Sequence, residues 1–179
     1  MSDLKQKLID HIKDNGPMSV AEFMAACLYD PKHGYYATRP LIGGESADFI
    51  TAPEASQMFG ELIGLWCAHE WEVLGKPAFN WIELGPGRGT LMADVTRTLE
   101  RIAPAMAQGA TLHLVETSPV LRRAQEAALH GRNAAWHARF DEIPDGPLLL
   151  VANEFFDALP VQQFLRTAAG WCERCVDWD

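Results

Sequence analysis

Positive charge is what this sequence most lacks. Its 15 Lys and Arg stand against 24 Asp and Glu, a formal net charge of −9. Phosphate binding is driven by clustered Lys and Arg, and no run of like charge builds a local basic patch. Nucleic acid and anionic membrane surfaces are therefore not expected as partners. No apolar run approaches the roughly 20 residues that span a bilayer, so a transmembrane segment is not expected either. Asp3, Asp10 and Asp14 alternate with Lys5, Lys7 and Lys13, unlike a secretory or transit peptide, and a cytoplasmic location is the expectation. Cysteine is scarce. Cys27 and Cys67 fall on apolar helix stripes, where a thiol acts as a small core residue. Cys172-x-x-Cys175 lacks the two further ligands a zinc site needs, so no metal is expected. Repeats and low-complexity tracts are absent. What remains is 179 residues, 48% of them apolar, enough for one domain or a domain with a small appendage.

Two patterns divide the chain. Residues 1–15 predict an amphipathic helix with Leu4, Leu8, Ile9 and Ile12 on one face, stopped by Gly16-Pro17. Ser19-Val-Ala-Glu22 has the form of a capping box and opens a helix carrying Val20, Phe23, Met24, Cys27 and Leu28 inward. Periodicity is then lost from Asp30 to Glu54, a stretch too long for an ordinary connection. A third helix is expected over about 55–74, with Phe59, Leu62, Ile63, Trp66 and Val73 as its buried stripe. Gly75-Lys76-Pro77 ends it and marks the expected boundary between a region 1–76 and a domain 77–179. Past that point strands and helices alternate. Strands are read at Phe79–Glu83, Thr111–Val115, weakly at 134–136, and at Pro147–Ala152, the last apolar enough to be covered on both faces. Helices are read at Thr90–Ile102 and from Ser118-Pro119 onward. The expected fold class is α/β, a Rossmann-like partial parallel sheet with right-handed crossovers, preceded by a helical and lid region.

The chemistry centres on Glu83-Leu-Gly85-Pro86-Gly87-Arg-Gly89-Thr90, between a strand and a helix. Glycines let the backbone turn tightly and approach a ligand, and the crevice of such sheets lies at the strands' carboxyl ends. A dinucleotide fingerprint has its third glycine one place later. Glu83, just before the glycines, would repel a pyrophosphate but suits a cationic amino group. S-adenosylmethionine has that group, a sulfonium and no phosphate. Glu116, ending the next strand, can accept both ribose hydroxyls. A third feature, Asn153-Glu154-Phe-Phe-Asp157-Ala-Leu-Pro160, follows the fourth strand, and its polar members sit among apolar residues.

These segments, with Tyr29-Asp-Pro31, His33-Gly-Tyr-Tyr36, Asp48-Phe-Ile-Thr51-Ala-Pro-Glu54 and Phe59-Gly-Glu61, resemble the MidA family of S-adenosylmethionine-dependent methyltransferases. That family includes a mitochondrial complex I assembly factor acting as a protein arginine methyltransferase. Ala47 departs from the family's usual glycine. The resemblance implies a class I methyltransferase fold whose C-terminal half is missing here, since Gly170–Arg174 resembles the start of the family's fifth strand. It implies S-adenosylmethionine held by Glu83, Gly85, Pro86, Gly87, Gly89 and Glu116, with Tyr36, Thr51 and Glu54, under a lid spanning His33 to Glu54. It also implies methyl transfer to an arginine of a protein substrate, with Asp157, Glu154 and Asn153 as catalytic candidates that align the guanidinium. Two alternatives stay open: a methyltransferase for another acceptor, and a non-catalytic assembly or scaffolding protein that keeps the cofactor fold. An exposed sheet edge would favour a homodimer.

Overall fold

The computed structural model describes residues 3–38 and 50–179. The chain divides into two compact units, Leu41–Phe155 and Met1–Pro40 with Phe156–Asp179. The lid stretch read from the sequence falls partly on residues 39–49, Ala47 included, which lie outside the described residues.

The larger unit is built on β2 (Phe79–Leu84), β3 (Ala110–Val115), β4 (Ala134–His137) and β5 (Leu148–Val151), all parallel in the order β4-β3-β2-β5. The helices are α4 (Ala52–Ala55), α5 (Gln57–Val73), α6 (Thr90–Ile102), α7 (Pro104–Gly109) and α8 (Pro119–Ala128). The core gathers Trp81, Leu91, Met92, Val95, Leu99, Leu112 and Leu114 between sheet and helices. The proline-initiated α7, at Pro104, was not expected from the sequence. Its Met106 is fully buried in that core.

Helix α5 corrects the sequence reading. Leu62, Trp66 and Val73 are 57%, 58% and 68% exposed, so they are not its buried stripe, although Phe59 and Ile63 do pack against the core. The buried face instead runs through Gly60, Gly64, Cys67 and Trp71. A Cβ at Gly60 would lie 2.6 Å from that of Asp94, and one at Gly64 would lie 3.3 Å from the Val95 carbonyl. The two glycines thus let α5 lie directly on α6, and this packing puts α5 in the sheet-bearing unit rather than on the other side of a boundary at 76–77.

Strand β5 is a second correction. It pairs only with β2, and its Leu148 and Leu150 are exposed, so among the described residues the strand is covered on one face only. On the face of the sheet that carries Asn80, the Asn80 amide donates to the Pro144 carbonyl (2.7 Å), leaving its oxygen to accept from His113 Nε2 (3.2 Å). His113 Nδ1 then accepts from His137 Nε2 at 2.9 Å. Burial, then His137, holds the His113 pKa below its usual value, consistent with a neutral ring in this chain of bonds.

The smaller unit holds α1 (Asp3–Asn15), β1 (Met18–Ser19), α2 (Val20–Tyr29) and α3 (Tyr35–Thr38), with β6 (Phe164–Thr167), β7 (Gly170–Glu173) and β8 (Cys175–Val176). Ile9 and Ile12 are buried as read. The capping box is present: the Ser19 hydroxyl accepts from Glu22 N–H and the Glu22 carboxylate accepts from Ser19 N–H at 2.8 Å. Asp30 pairs with Lys7 and accepts from the Lys32 and His33 N–H groups. The Lys7 bond leads in pulling its pKa down to about 2. Within the stretch 170–174 that resembles the start of the family's fifth strand, residues 170–173 are a strand and form an antiparallel hairpin with β6, while β8 pairs with β1. Cys172 and Cys175 are free and exposed. Among the described residues, no group of three or more His, Cys, Asp or Glu could hold a metal, and no helix is long and apolar enough to cross a membrane.

Candidate functional site

The glycine turn is the local cause of the pocket. After Leu84 the chain must leave β2 and enter α6 within five residues, and it does so with Gly85, Gly87 and Gly89 all at positive φ. Two of these positions leave little or no room for a side chain. A Cβ at Gly85 would lie 2.5 Å from Cδ2 of Phe155, and one at Gly89 would lie 3.2 Å from Cα of Gln125. The turn is therefore gripped from two directions, by the loop after β5 and by α8. It is also tied to β3 by a bond from Gly85 N–H to the Val115 carbonyl (3.2 Å).

Around the turn lies a pocket whose empty space is about 430 Å³, open solvent included. Thr51, Glu54, Glu83, Gly85, Pro86, Gly87, Asn153 and Glu154 all line it, so eight of the twelve site residues read from the sequence converge. Arg88 and Thr90 also line it. The Glu54 carboxylate accepts from the Thr90 hydroxyl at 2.6 Å and faces Arg88 at 3.6 Å. Glu154 holds φ +49°, a conformation that costs a non-glycine residue energy and is often kept at functional positions.

Among the described residues, Glu83 is a strongly perturbed group. It is 3% exposed, its Oε2 has no hydrogen-bond partner, and burial pushes its pKa up to about 8. A buried carboxyl without a partner is costly. The same vacancy makes it a receptor for a ligand that brings a positive charge or a donor.

Gly89 and Glu116 do not line the pocket but stand in the same unit, at the end of the turn and the end of β3. Glu116 Oε1 accepts from Ser118 N–H (2.7 Å) and Oε2 from the Gln125 amide (3.2 Å). Each oxygen keeps lone-pair capacity for a hydroxyl donor. Gln125 was missed by the sequence reading. Fully buried on α8, it donates to the Gly87 carbonyl (2.7 Å) as well as to Glu116, and accepts from the Trp136 indole (2.9 Å). The available signal was a glutamine four residues after Leu121, on the helix's apolar face. Tyr36 and Asp157 belong to the smaller unit. There Tyr36 stacks near Tyr29, and Asp157 contributes to raising the Tyr36 pKa, after burial.

In chemical terms the pocket offers a buried acid, open backbone at the turn and an acid beyond it, with Arg88 the basic residue among its lining groups. That set suits a ligand with a cationic group and hydroxyls better than one carrying several phosphates.

A family described as "putative S-adenosyl-L-methionine-dependent methyltransferase" matches residues 62–179. Among curated proteins, the chain is similar to protein arginine methyltransferase NDUFAF7, mitochondrial, of Danio rerio (37% identical over 205 residues, 99% of this chain and 48% of that protein). It is similar also to that of Homo sapiens (38% over 203 residues, 100% and 46%) and to the Drosophila melanogaster homolog (40% over 199 residues, 97% and 44%). The chain thus spans about half the length of the curated relatives it matches. Among solved structures, a Burkholderia thailandensis protein bound to S-adenosyl-homocysteine superposes with a TM-score of 0.75 at 29% identity, covering 98% of this chain and 46% of that one. A second structure from that organism gives 0.70 at 30%, covering 98% and 45%. These matches agree with the family resemblance read from the motifs. The names of the curated relatives carry the word mitochondrial, so the cytoplasmic expectation draws no support from them.

Proposed function

This chain belongs to the S-adenosyl-L-methionine-dependent methyltransferase family whose description matches residues 62–179, and from that premise we propose that it binds S-adenosylmethionine and supplies the cofactor-binding part of a protein arginine N-methyltransferase. The observation that carries the reading is the Glu83 carboxyl, buried in the pocket wall beside the glycine turn with one oxygen unpartnered. A cationic amino group satisfies it, and the absence of phosphates on this cofactor removes the repulsion a dinucleotide would meet. The backbone of Gly85, Pro86, Gly87 and Gly89 admits the ligand closely, Glu116 accepts ribose hydroxyls, and Thr51 and Glu54 line the rim. When bound, the cofactor supplies an electrophilic methyl on sulfur.

The work of this chain's own residues on the acceptor is alignment. Arginine stays protonated at neutral pH, so a carboxylate must orient the guanidinium and hold the proton released as nitrogen is methylated. Glu154 of the larger unit takes that role in this proposal, with Asn153 positioning the loop, and Asp157 of the smaller unit is the second carboxylate proposed for it. The arginine acceptor is supported by the names of the relatives, and the motif resemblance points to complex I assembly as the setting. Among the described residues one edge of β5 is unpaired, with Leu148 and Leu150 exposed beside it, which supports pairing with a second copy of the chain, since such edges tend to be paired or covered. Calorimetric titration with S-adenosylmethionine, S-adenosyl-homocysteine and NAD tests the cofactor. Binding of the first two with loss on Glu83→Ala and Glu116→Ala is expected, and unchanged affinity in both variants would refute the assignment. Light scattering over a concentration series tests the dimer, which Leu150→Lys should weaken.

A further inference from the structure

Tyr36, grouped with the cofactor residues by its motif, lies in a cluster whose chemistry is that of a cation site. Within the smaller unit, the Tyr29 and Tyr36 rings lie 5.5 Å apart, inclined at 31°, and Tyr35 meets Tyr36 edge-on at 5.3 Å. The Tyr29 hydroxyl donates to the Ala158 carbonyl at 2.8 Å. That bond anchors the ring to the short 3-10 turn Phe156–Ala158, which carries Asp157. Asp157 is close enough to Tyr36 to oppose ionisation of its hydroxyl. Tyr29 and Tyr36 remain 45% and 42% exposed. Among the described residues, none of the ion pairs involves the Asp157 carboxylate. Two half-open aromatic faces, and on the turn tied to one of them a carboxylate that no basic side chain among the described residues pairs with, make a ready receptor for a flat cation.

We propose that Tyr29, Tyr36 and Asp157 form the binding site for the guanidinium of an arginine side chain. A guanidinium is planar and weakly hydrated, so it stacks on a tyrosine face while its N–H fork meets a carboxylate. A lysine ammonium is a compact, strongly hydrated point charge and gains less from the rings. The inference deepens the proposed arginine acceptor and rests on it. It also turns Tyr36 from a cofactor residue into an acceptor residue.

The test uses the whole chain and N-acetyl-arginine amide as probe, followed by NMR of the tyrosine rings and by calorimetry. N-acetyl-lysine amide and the neutral citrulline analogue serve as controls, and S-adenosyl-homocysteine is titrated in parallel. The expected result is ring shifts at Tyr29 and Tyr36, arginine preferred over lysine, and no binding of citrulline. Asp157→Asn and Tyr36→Leu should each weaken the probe about tenfold, while Tyr36→Phe, which keeps the ring, stays within about twofold. Asp157→Asn is an exposed, near-isosteric change and does not depend on the fold of α3. A protein that binds S-adenosyl-homocysteine yet ignores the probe, or binds it equally in Asp157→Asn, overturns this site and leaves the cofactor reading intact. Loss of S-adenosyl-homocysteine binding by the parent chain, with the probe still bound as above, overturns the cofactor reading and leaves the cation site standing.

Discussion

Replacing Glu83 by Gln should stabilise the free protein at alkaline pH and cripple its cofactor binding, a pairing of effects that few site residues produce. The carboxyl is shifted from 4.5 to about 8 by burial, with one oxygen unpartnered. A folded-state pKa above the unfolded value means that the native protein holds this proton more tightly. Stability from the group is therefore fully present below about pH 4.5 and is lost as pH rises towards 8. A shift of that size corresponds to at most about 5 kcal/mol at 1.36 kcal/mol per unit, and relaxation and water entry will reduce it. Glutamine keeps the shape and cannot ionise, so its variant should lack this part of the pH dependence. Urea melts at pH 5.5, 7 and 9 read it directly: parent and variant should diverge as pH rises, with the variant ahead at pH 9. Cofactor affinity should move the other way, because a cationic amino group favours the ionised acid. Binding should release protons near neutral pH, visible in calorimetry as a heat that depends on the buffer's ionisation enthalpy. Parallel melting curves across the whole range, with no proton release on binding, would refute the reasoning.

Gly85→Ala forces a Cβ towards the Phe155 ring at 2.5 Å and a non-glycine residue into φ +61°. It should cost about 1–3 kcal/mol in thermal or urea melts and weaken S-adenosyl-homocysteine in calorimetry. Gln125→Leu removes three hydrogen bonds that join the turn, Glu116 and Trp136. About 2–4 kcal/mol of stability should go with them, and a loss under 0.5 kcal/mol would show that water replaces the amide. Gly60→Val should separate α5 from α6 because of the 2.6 Å approach to Asp94, seen as a lower melting temperature, whereas the exposed Leu62→Ala nearby should change it little.

Apart from the short α7, the strand and helix order from β2 to β5 was legible because each element carries its own periodicity, and because Ser118-Pro119 and the glycine turn punctuate it. The acids at strand ends and the residues of the pocket were legible for the same reason: position in an alternating pattern fixes which end of the sheet they reach. Helix α5 was misread because its closest contact is made by Gly60 and Gly64, which give no hydrophobic signal, while the louder Leu62 and Trp66 face outward. Gln125 was illegible since a buried amide looks like a surface residue until its partners from three other segments are known. Tyr29 bonds to the Ala158 carbonyl across 129 positions in a way that no local pattern encodes, although both stood in motifs that the family resemblance singled out. β5 was read as doubly covered because its run of leucines cannot say how many faces find a neighbour.

The central claim is that the pocket at the glycine turn takes S-adenosylmethionine through Glu83. Calorimetry of S-adenosyl-homocysteine against the parent chain, Glu83→Gln and Glu116→Ala, with NAD as competitor, tests it most directly. The account predicts binding to the parent that NAD does not displace, a loss of about 1.5–3 kcal/mol for each variant, and no binding of NAD by itself. Equal affinity for parent and both variants, or displacement by NAD, would contradict it.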